Sequence, residues 1–351
     1  MGGPLSSGTR MVQPNTMHEA SSQSSGPRAR DEALSARVAR LSPLLRETPI
    51  IQLKHDAIEL NAKLEFTNPI GSIKDRPAFW ILKNAIDRGD VTSATTIVES
   101  SSGNFALALA VFCRLLGLRF IPVIDPNISP SYEDSLRRTC NLVVKVEERD
   151  DTGGFLKTRL AKVQELCSGL KNAYWTNQYA NLDGMQAHYK FTGGEIVKSF
   201  THLDYVFLGV SSGGTISGVS TRLKEAFPKI KVIAVDSEGS VIFGGKPKKR
   251  YIPGIGASIV PPLVKLAIID DVVMVAERET AAACNDLLLE HGLFVGGSSG
   301  TAYAAIQRYV PKMLTSGEKP RVVFICPDRG SAYLDTVYHR EWRLQLEEKE
   351  P

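Results

Sequence analysis

The sequence predicts an α/β protein of two three-layer domains, each built on a mainly parallel sheet. Short, nearly continuous apolar runs alternate with helical patterns from about residue 45 to residue 338. Strands of that kind are typical of parallel sheets that carry helices on both faces. The 351 residues also suffice for about two domains with a sizeable core, and the two groups of runs show no internal repeat.

Composition excludes several classes of protein. A chain that is 43% hydrophobic and 23% charged, with a net charge of +4, is not disordered as a whole. Its apolar stretches fall short of the roughly 20 residues that span a bilayer, and its start shows no secretory signal. Basic residues are mixed with acidic ones, unlike the concentrated charge of a nucleic-acid binder. We therefore expect a protein that binds neither a membrane nor a nucleic acid.

Cysteine usage predicts the compartment. The five cysteines are dispersed, and none forms a C-x-x-C pair: Cys113, Cys140, Cys167, Cys284 and Cys326. This pattern argues against a disulfide framework and against a structural zinc site. We therefore expect a cytoplasmic protein without a metal.

Changes in composition along the chain give the predicted domains. Residues 1–32 are rich in Ser, Gly and Pro without a periodic apolar face, which predicts a disordered tail. Residues 33–67 and 182–345 are assigned to a larger domain, and residues 68–181 to a smaller, mobile one. A helix is expected at the start of the larger domain, because four apolar residues are spaced for one helical face: Ala33, Val38, Leu41 and Leu45.

The apolar runs predict strands at residues 96–99, 120–125, 142–147, 205–210, 231–236 and 322–326. Asp75 is expected to cap a helix that has Pro77 in its first turn and Gly89 at its far end. A second helix is expected at residues 105–116, followed by Gly117. In folds of this kind, ligands bind at the loops that leave the carboxyl ends of the strands.

Three glycine-rich loops each follow a strand-like run and precede a helix, at residues 100–105, 211–215 and 296–300. Free amides at the start of a helix attract phosphate, and the second loop adds the hydroxyls of Ser212 and Thr215. It has neither the Gly-Lys-Ser/Thr of a Walker loop nor the G-x-G-x-x-G dinucleotide pattern. Asp236 lies about 20 residues further on, at the position of a Rossmann ribose-binding acid. A nucleotide-binding Rossmann protein therefore remains an alternative of another class.

The most specific motif surrounds Lys74, where residues 68–77 read NPIGSIKDRP. It resembles the motif of the fold-type II pyridoxal-phosphate enzymes, the cysteine synthase group, in which Ser-Val-Lys-Asp-Arg holds the Schiff-base lysine. The similarity runs from about residue 45 to residue 338, and it includes the three loops, NQYAN at 177–181 and PGIGA at 253–257. This resemblance implies a tryptophan synthase β-like fold, pyridoxal 5′-phosphate as the cofactor, and a homodimer.

The resemblance also implies roles for individual residues. Lys74 would carry the cofactor and move the α-proton, Asn104 would bond the ring 3′-oxygen, and Ser298 would meet the pyridine nitrogen. A neutral hydroxyl at that nitrogen favours β-elimination over transamination. The implied phosphate contacts are Ser211, Ser212, Gly213, Gly214 and Thr215. The implied substrate contacts are Ser101, Ser102, Gly103, Phe105, Gln178, Tyr179 and Ser211.

Several segments are similar to one branch, the N-(2-amino-2-carboxyethyl)-L-glutamate synthases of siderophore and antibiotic pathways. They are DPNISP at 125–130, GGFLKTRL at 153–160, AYWTNQYAN at 173–181, DSEGSVIFG at 236–244 and PDRG at 327–330. That branch joins O-phospho-L-serine to L-glutamate and releases phosphate, on the way to L-2,3-diaminopropionate. The alternative with the same chemistry is cysteine synthase, which uses sulfide on O-acetyl- or O-phosphoserine.

Departures from cysteine synthase bear on that choice. Ser211 stands where cysteine synthases have Gly, and Tyr179 stands where they usually have Phe; both add hydroxyls suited to a polar nucleophile. Phe105 replaces a Thr, which leaves only its amide for the substrate carboxylate. Acidic substrates require cations, and the candidates are Arg159, Arg329 and residues 246–250 (KPKKR). Arg159 and residues 246–250 are equally compatible with a solvated surface.

Overall fold

Two sheets, each covered by helices, make up the molecule in a computed structural model that describes residues 27–151, 153–314 and 319–349. The strands are β1 (Ile50–Leu53), β2 (Glu59–Leu64), β3 (Thr96–Ser100), β4 (Arg119–Ile124), β5 (Val144–Lys145), β6 (Ala173–Trp175), β7 (Tyr205–Gly209), β8 (Lys231–Ser237), β9 (Asp271–Val275) and β10 (Arg321–Cys326). Among the described residues, no helix has the length and apolar character that crossing a membrane requires.

The helices connect and cover these strands. They are α1 (Pro27–Leu41), α2 (Asp75–Asp87), α3 (Asn104–Leu116), α4 (Pro130–Thr139), α5 (Leu156–Gly169), α6 (Leu182–Ala187), α7 (Gly194–Ser199), α8 (Gly214–Ala226), α9 (Glu277–His291), α10 (Gly297–Met313) and α11 (Arg340–Lys349). A π-helical turn, His188–Gly193, joins α6 to α7.

The two sheets are mainly parallel, which confirms the predicted fold class. The larger sheet has the order β1-β2-β10-β7-β8-β9, and the smaller has the order β5-β4-β3-β6. The β1–β2 pair is antiparallel, whereas every other neighbouring pair is parallel. Buried strands such as β3 and β10 produce the continuous apolar runs on which the prediction rests.

Strand prediction failed at several places, and β2 is the buried exception, because its sequence ELNAKL mixes Glu, Asn and Lys with apolar residues. The run at residues 142–147 forms only the two-residue β5, and residues 293–295 form no strand but a single bridge from Val295 to Arg329. Strands β1, β2, β6 and β9 were not predicted. Strands β1, β6 and β9 contain many half-buried residues, so their apolar signal is weak.

The amino-terminal assignment requires two corrections. Residues 1–26 lie outside the described part of the chain, but residues 27–32 belong to α1 and are helical. The buried face of α1 is formed by Leu34 and Val38, and Ala33 is exposed. These two residues pack in one apolar cluster with Phe79 and Phe112. Helix α1 therefore packs on the helices of the smaller sheet, although the sequence analysis placed it in the larger domain.

Helix α2 begins differently from the prediction. Asp75 is its first residue rather than its cap, and the Asp75 carboxylate accepts a hydrogen bond from the Ile70 amide at 2.6 Å. Gly89 lies past the end with a positive φ of 80°, as expected. Helix α3 agrees with its prediction within one residue and ends at Gly117, which has a φ of 74°. Asp75 thus fixes the turn that precedes Lys74.

A buried ion network ties α2 to the larger sheet. Arg76, with no exposed surface, donates to Glu65 at 2.7 Å and to both carboxylate oxygens of Glu195 at 2.6 and 2.7 Å. Lys63, also fully buried, donates to Glu195 at 2.5 Å and to the Thr48 carbonyl at 2.7 Å. Two cations and two anions balance, which offsets the cost of removing charge from water.

Replacing Arg76 with Met should lower the free energy of unfolding by about 3–5 kcal/mol, because two buried carboxylates would then share one cation. Urea unfolding followed by circular dichroism measures it. The matched control is Lys83→Met on the same helix, whose ion pair with Asp87 is partly exposed and contributes at most about 1 kcal/mol. Equal losses in the two variants would contradict the role assigned to the network.

Candidate active site

One cavity gathers loops from both sheets at the carboxyl ends of their strands. It is lined by Lys74 before α2, Asn104 after β3, the loop after β7 and Asp328 after β10. Ser298, in the first turn of α10, completes this lining. Carboxyl ends of parallel strands are where such folds bind ligands, so the fold places a binding site here.

Lys74 is held at the junction of the two sheets by its neighbours. The Ile73 amide donates to the Pro327 carbonyl at 2.8 Å. The Ser72 backbone forms an isolated antiparallel β-bridge with the backbone of Asp328. The side chain of Lys74 is half-buried in the cavity. Loss of water contacts lowers the pKa of the Lys74 amine, and the Asp328 carboxylate partly opposes that shift. A lysine in this setting has the reactive neutral amine available.

The loop at residues 211–215 forms a cradle at the start of α8. Gly213 has a φ of 90°, and a Cβ there would lie 2.7 Å from the Val264 nitrogen, so glycine is required. Ser212 is buried, and Ser211 donates to the Gly256 carbonyl at 3.2 Å. Amides at the start of a helix lack intrahelical partners, so this loop could accommodate a phosphate group.

His188, to which the sequence analysis assigned no role, contacts this cradle. Its Nε2 lies 3.3 Å from the Thr215 hydroxyl, and its Nδ1 lies 3.2 Å from the Thr192 hydroxyl. Burial, with smaller effects of Lys74 and Arg76, lowers the pKa of His188 well below its usual value. The ring is therefore neutral. In the sequence, the four-residue spacing of His188 and Thr192, which places them on one face of a helix, was the only sign that they interact.

Asp328, to which the sequence analysis likewise assigned no role, is hydrogen-bonded to Asn104 inside the cavity. Asn104 donates to Asp328 Oδ2 at 2.7 Å, and Tyr333 donates to the same oxygen at 2.9 Å. Tyr132 donates to Asn104 Oδ1 at 2.7 Å. Burial raises the pKa of Asp328, while these donors and Lys74 act to lower it. Its position directly after the apolar run at residues 322–326 could have identified it.

The predicted substrate residues separate into two groups. Phe105 and Gln178 line an adjoining cavity together with Lys74 and His188. Neither cavity is lined by Ser101, Ser102, Gly103 or Tyr179. Gln178 also joins the loop after β6 to the end of β3, because its side-chain amide nitrogen donates to the Ser100 carbonyl at 3.1 Å.

The candidate cations differ in their surroundings. Arg159 is largely buried and lies 3.1 Å from both the Ser102 hydroxyl and the Asp125 carboxylate. Arg329 is exposed and stacks on Phe66, with 4.9 Å between its guanidinium carbon and the ring centroid. Residues 246–249 are exposed and line neither cavity. Of these candidates, only Arg159 contacts the glycine-rich loop at residues 100–105, called the substrate loop below.

The rival nucleotide site is not supported by the surroundings of Asp236. This side chain has no exposed surface, and its Oδ1 accepts the Ser237 amide at 2.8 Å. It lies outside the residues that line the two cavities. A ribose could not reach a carboxylate enclosed in this way.

The comparisons with known proteins agree with this geometry. The model of the pyridoxal-phosphate dependent enzyme family matches residues 41–328. The chain belongs to this family. A relative from Ralstonia nicotianae, N-(2-amino-2-carboxyethyl)-L-glutamate synthase, is 44% identical over 305 residues, which cover 85% of this chain and 89% of the relative. The cofactor is therefore pyridoxal phosphate.

Two solved structures are similar along most of this pyridoxal-phosphate dependent enzyme. An O-acetylserine dependent cystathionine β-synthase from Helicobacter pylori has a TM-score of 0.78 at 31% identity, covering 85% of this chain and 97% of its own. A hydrogen sulfide-producing enzyme from Fusobacterium nucleatum has a TM-score of 0.77 at 27% identity, covering 83% and 98%. Both support the fold-type II assignment.

The residues of the cavity fit pyridoxal phosphate. A lysine with a lowered pKa suits the aldehyde, and the loop at residues 211–215, where Gly213 has a positive φ at the start of α8, suits the phosphate. The lining hydroxyl of Ser298 offers a neutral partner for the pyridine nitrogen. Among the described residues, no cluster of His, Cys, Asp and Glu could hold a metal ion.

Glu99, at the end of β3 beside the substrate loop, is a buried acid that the sequence analysis did not consider. It has no exposed surface, and it accepts hydrogen bonds from the Thr176 hydroxyl and from the Ser100 and Gln178 amides. Burial raises the pKa of Glu99 to about 7, despite these donors. Glu99 therefore joins the loops after β3 and β6 through a carboxyl that titrates near neutral pH.

Stability should fall as Glu99 ionises. Because its pKa in the folded protein exceeds the ordinary value of 4.5, the stabilising contribution is complete below pH 4.5 and disappears as pH rises through 7. Between pH 5 and pH 8, wild type should lose about 3 kcal/mol more unfolding free energy than Glu99→Gln. Urea unfolding at several pH values measures this difference, and Glu165→Gln on the exposed face of α5 serves as the control. Identical slopes in wild type and Glu99→Gln would refute the assignment.

Proposed function

We propose that this enzyme joins O-phospho-L-serine to L-glutamate and releases phosphate and N-(2-amino-2-carboxyethyl)-L-glutamate. The observation that carries the proposal is the 44% identity to the Ralstonia nicotianae relative, which is named for this synthase activity and is covered over 89% of its length. In this reaction the bond between Cβ and the phosphate oxygen of O-phosphoserine breaks. A bond from Cβ to the glutamate nitrogen forms, and the amine loses a proton.

Lys74 is proposed as the cofactor lysine and as the base that moves the α-proton of O-phosphoserine. Pyridoxal phosphate supplies the electron sink for this proton loss and for departure of the phosphate. The lowered pKa of Lys74 favours its neutral amine, which is the form that can accept a proton. Asn104 would orient the cofactor ring, and residues 211–215 would hold its phosphate group, with the Thr215 hydroxyl beside neutral His188.

A cation beside the substrate loop supports an acidic substrate. Arg159 contacts the Ser102 hydroxyl, and Asp125 positions both residues, because its carboxylate lies 3.1 Å from Arg159 and 3.4 Å from Ser102. Arginine binds carboxylate and phosphate through several donors at once. We propose that Arg159 binds an anionic group of a substrate and that the Tyr179 hydroxyl assists it.

Cysteine synthase remains the second candidate, and the similar enzyme from Helicobacter pylori, which is O-acetylserine dependent, favours it. Sulfide needs no cation to orient it. Arg159 beside Ser102 favours glutamate as the nucleophile only when it binds a glutamate carboxylate, because a contact with the phosphate of O-phosphoserine would serve either reaction.

The biological setting is part of the proposal. Diaminopropionate for a siderophore or an antibiotic is the end product that the family branch implies. All five cysteines are free, which agrees with a reducing cytoplasm. We propose a homodimer, as in the cysteine synthase group.

Purified protein supplied with O-phosphoserine and glutamate should form N-(2-amino-2-carboxyethyl)-L-glutamate and one equivalent of phosphate, measured by mass spectrometry and a phosphate assay. Lys74→Ala should form neither and should lose the visible absorption of the bound cofactor. Borohydride reduction of wild type should place the cofactor on the peptide that contains Lys74. Turnover with sulfide but not with glutamate would overturn the choice of nucleophile, and a label on another lysine would overturn the site.

Arg159→Met should raise the KM for an acidic substrate by roughly 10- to 100-fold, because a charge-assisted hydrogen bond contributes about 1.5–3 kcal/mol. Steady-state kinetics with each substrate varied in turn would measure it. Lys162→Met, on the same helix and paired only with the exposed Glu165, is the matched control. Unchanged KM values for both substrates in Arg159→Met would exclude a substrate contact.

A further inference from the structure

Asp328 connects the two halves of the active site. It follows β10 of the larger sheet, whereas its partner Asn104 begins α3 on the smaller sheet. Its Oδ2 accepts from Asn104 at 2.7 Å and from Tyr333 at 2.9 Å. Only 5% of Asp328 is exposed, so these hydrogen bonds are shielded from water.

The contacts of Asn104 fix the orientation of its side-chain amide. Tyr132 donates to Asn104 Oδ1 at 2.7 Å, and the Asn104 nitrogen donates to Asp328. A flipped amide would direct its oxygen at the Asp328 carboxylate, which can only accept. One amide N–H of Asn104 is used by Asp328, and the other remains available to the cavity that Asn104 lines.

The second oxygen of Asp328 has a different environment. Asp328 Oδ1 is buried and has no hydrogen-bond partner among the described residues. It occupies space that a side chain at position 296 would need, since a Cβ on Gly296 would lie 1.9 Å away. Because Ser72 pairs with Asp328 and Ile73 donates to Pro327, the backbone carries this carboxylate next to Lys74. A buried oxygen without a donor depends on a nearby positive charge.

We propose that Asp328 is a positioning residue: it fixes the Asn104 amide for the cofactor ring and places a negative charge beside the nitrogen of Lys74. The inference rests on attachment of the cofactor to Lys74. The new element is the charge of the Asp328 carboxylate, which acts on the cofactor through the Lys74 nitrogen. When the Lys74 nitrogen is linked to the cofactor and protonated, Asp328 stabilises its positive charge.

Other titratable groups also face this pair. The groups that face Asp328 are Lys74, Tyr132, Tyr333, Tyr338, Cys284 and Cys326, and His188 faces Lys74. Burial and Asp328 both raise the pKa of Tyr132 and Tyr333, so these phenols are neutral. Burial lowers the pKa of His188 well below its usual value, so the imidazole ring is neutral. Asp328 is therefore the negative charge that acts on the Lys74 nitrogen from this group of residues.

The test is a pH titration of the visible absorption of the holoenzyme, with wild type compared to Asp328→Asn. Asparagine keeps the shape and can still accept from Asn104 and Tyr333, but it has no charge. The protonated form of the linkage should then be lost at a pH roughly one to three units lower than in wild type. Cofactor content and thermal midpoint, measured on the same samples, establish that both proteins are folded and loaded.

Two variants separate charge from structure. Tyr132→Phe removes the donor that fixes Asn104 and should weaken cofactor binding without the Asp328→Asn shift in pH. Tyr338→Phe, whose hydroxyl bonds only the Val295 backbone, should match wild type. Superimposable spectra of wild type and Asp328→Asn at every pH would overturn the inference. Absence of the visible band from wild type would instead overturn attachment of the cofactor.

Discussion

The neutral ion network around Arg76 is the constraint on which the site depends. It joins the first turn of α2, and therefore Lys74, to Lys63 in β2, to Glu65 directly after β2 and to Glu195 in α7. Four charges without access to water hold together only as a complete set, since each loss leaves an unpaired charge. The reactive lysine thus has a fixed position relative to both sheets, although it lies on a connecting loop.

The fold was predictable where a buried strand has an apolar centre. Strands such as β3, β7, β8 and β10 are covered on both faces and contain consecutive apolar residues, so they stand out from the helices, whereas the buried β2 (ELNAKL) contains Glu, Asn and Lys and was missed. Half-buried strands such as β6 and β9 carry a weaker pattern and were missed. Helix α1 was assigned to the wrong domain because periodicity identifies a buried face but not the surface that buries it.

The site was predictable where a local motif defines the chemistry. Lys74 and the loop at residues 211–215 lie within short segments whose glycines and hydroxyls reflect local demands on the backbone. His188 and Asp328 are separated from those segments by tens to hundreds of residues, and only the folded chain brings them to the cavity. Their importance depends on burial, which raises or lowers the pKa of each group and to which the sequence points only indirectly, as the apolar run before Asp328 does.

The fit between Asp328 and Gly296 has a consequence for variation at this site. The carboxylate occupies the volume in which the first side-chain atom of any other residue at position 296 would stand. Protein engineers who enlarge one position must therefore shrink the other in the same step. Homologues with a smaller residue in place of the acid have room for a side chain at the glycine. The two positions should covary across an alignment, although they lie 32 positions apart along the chain.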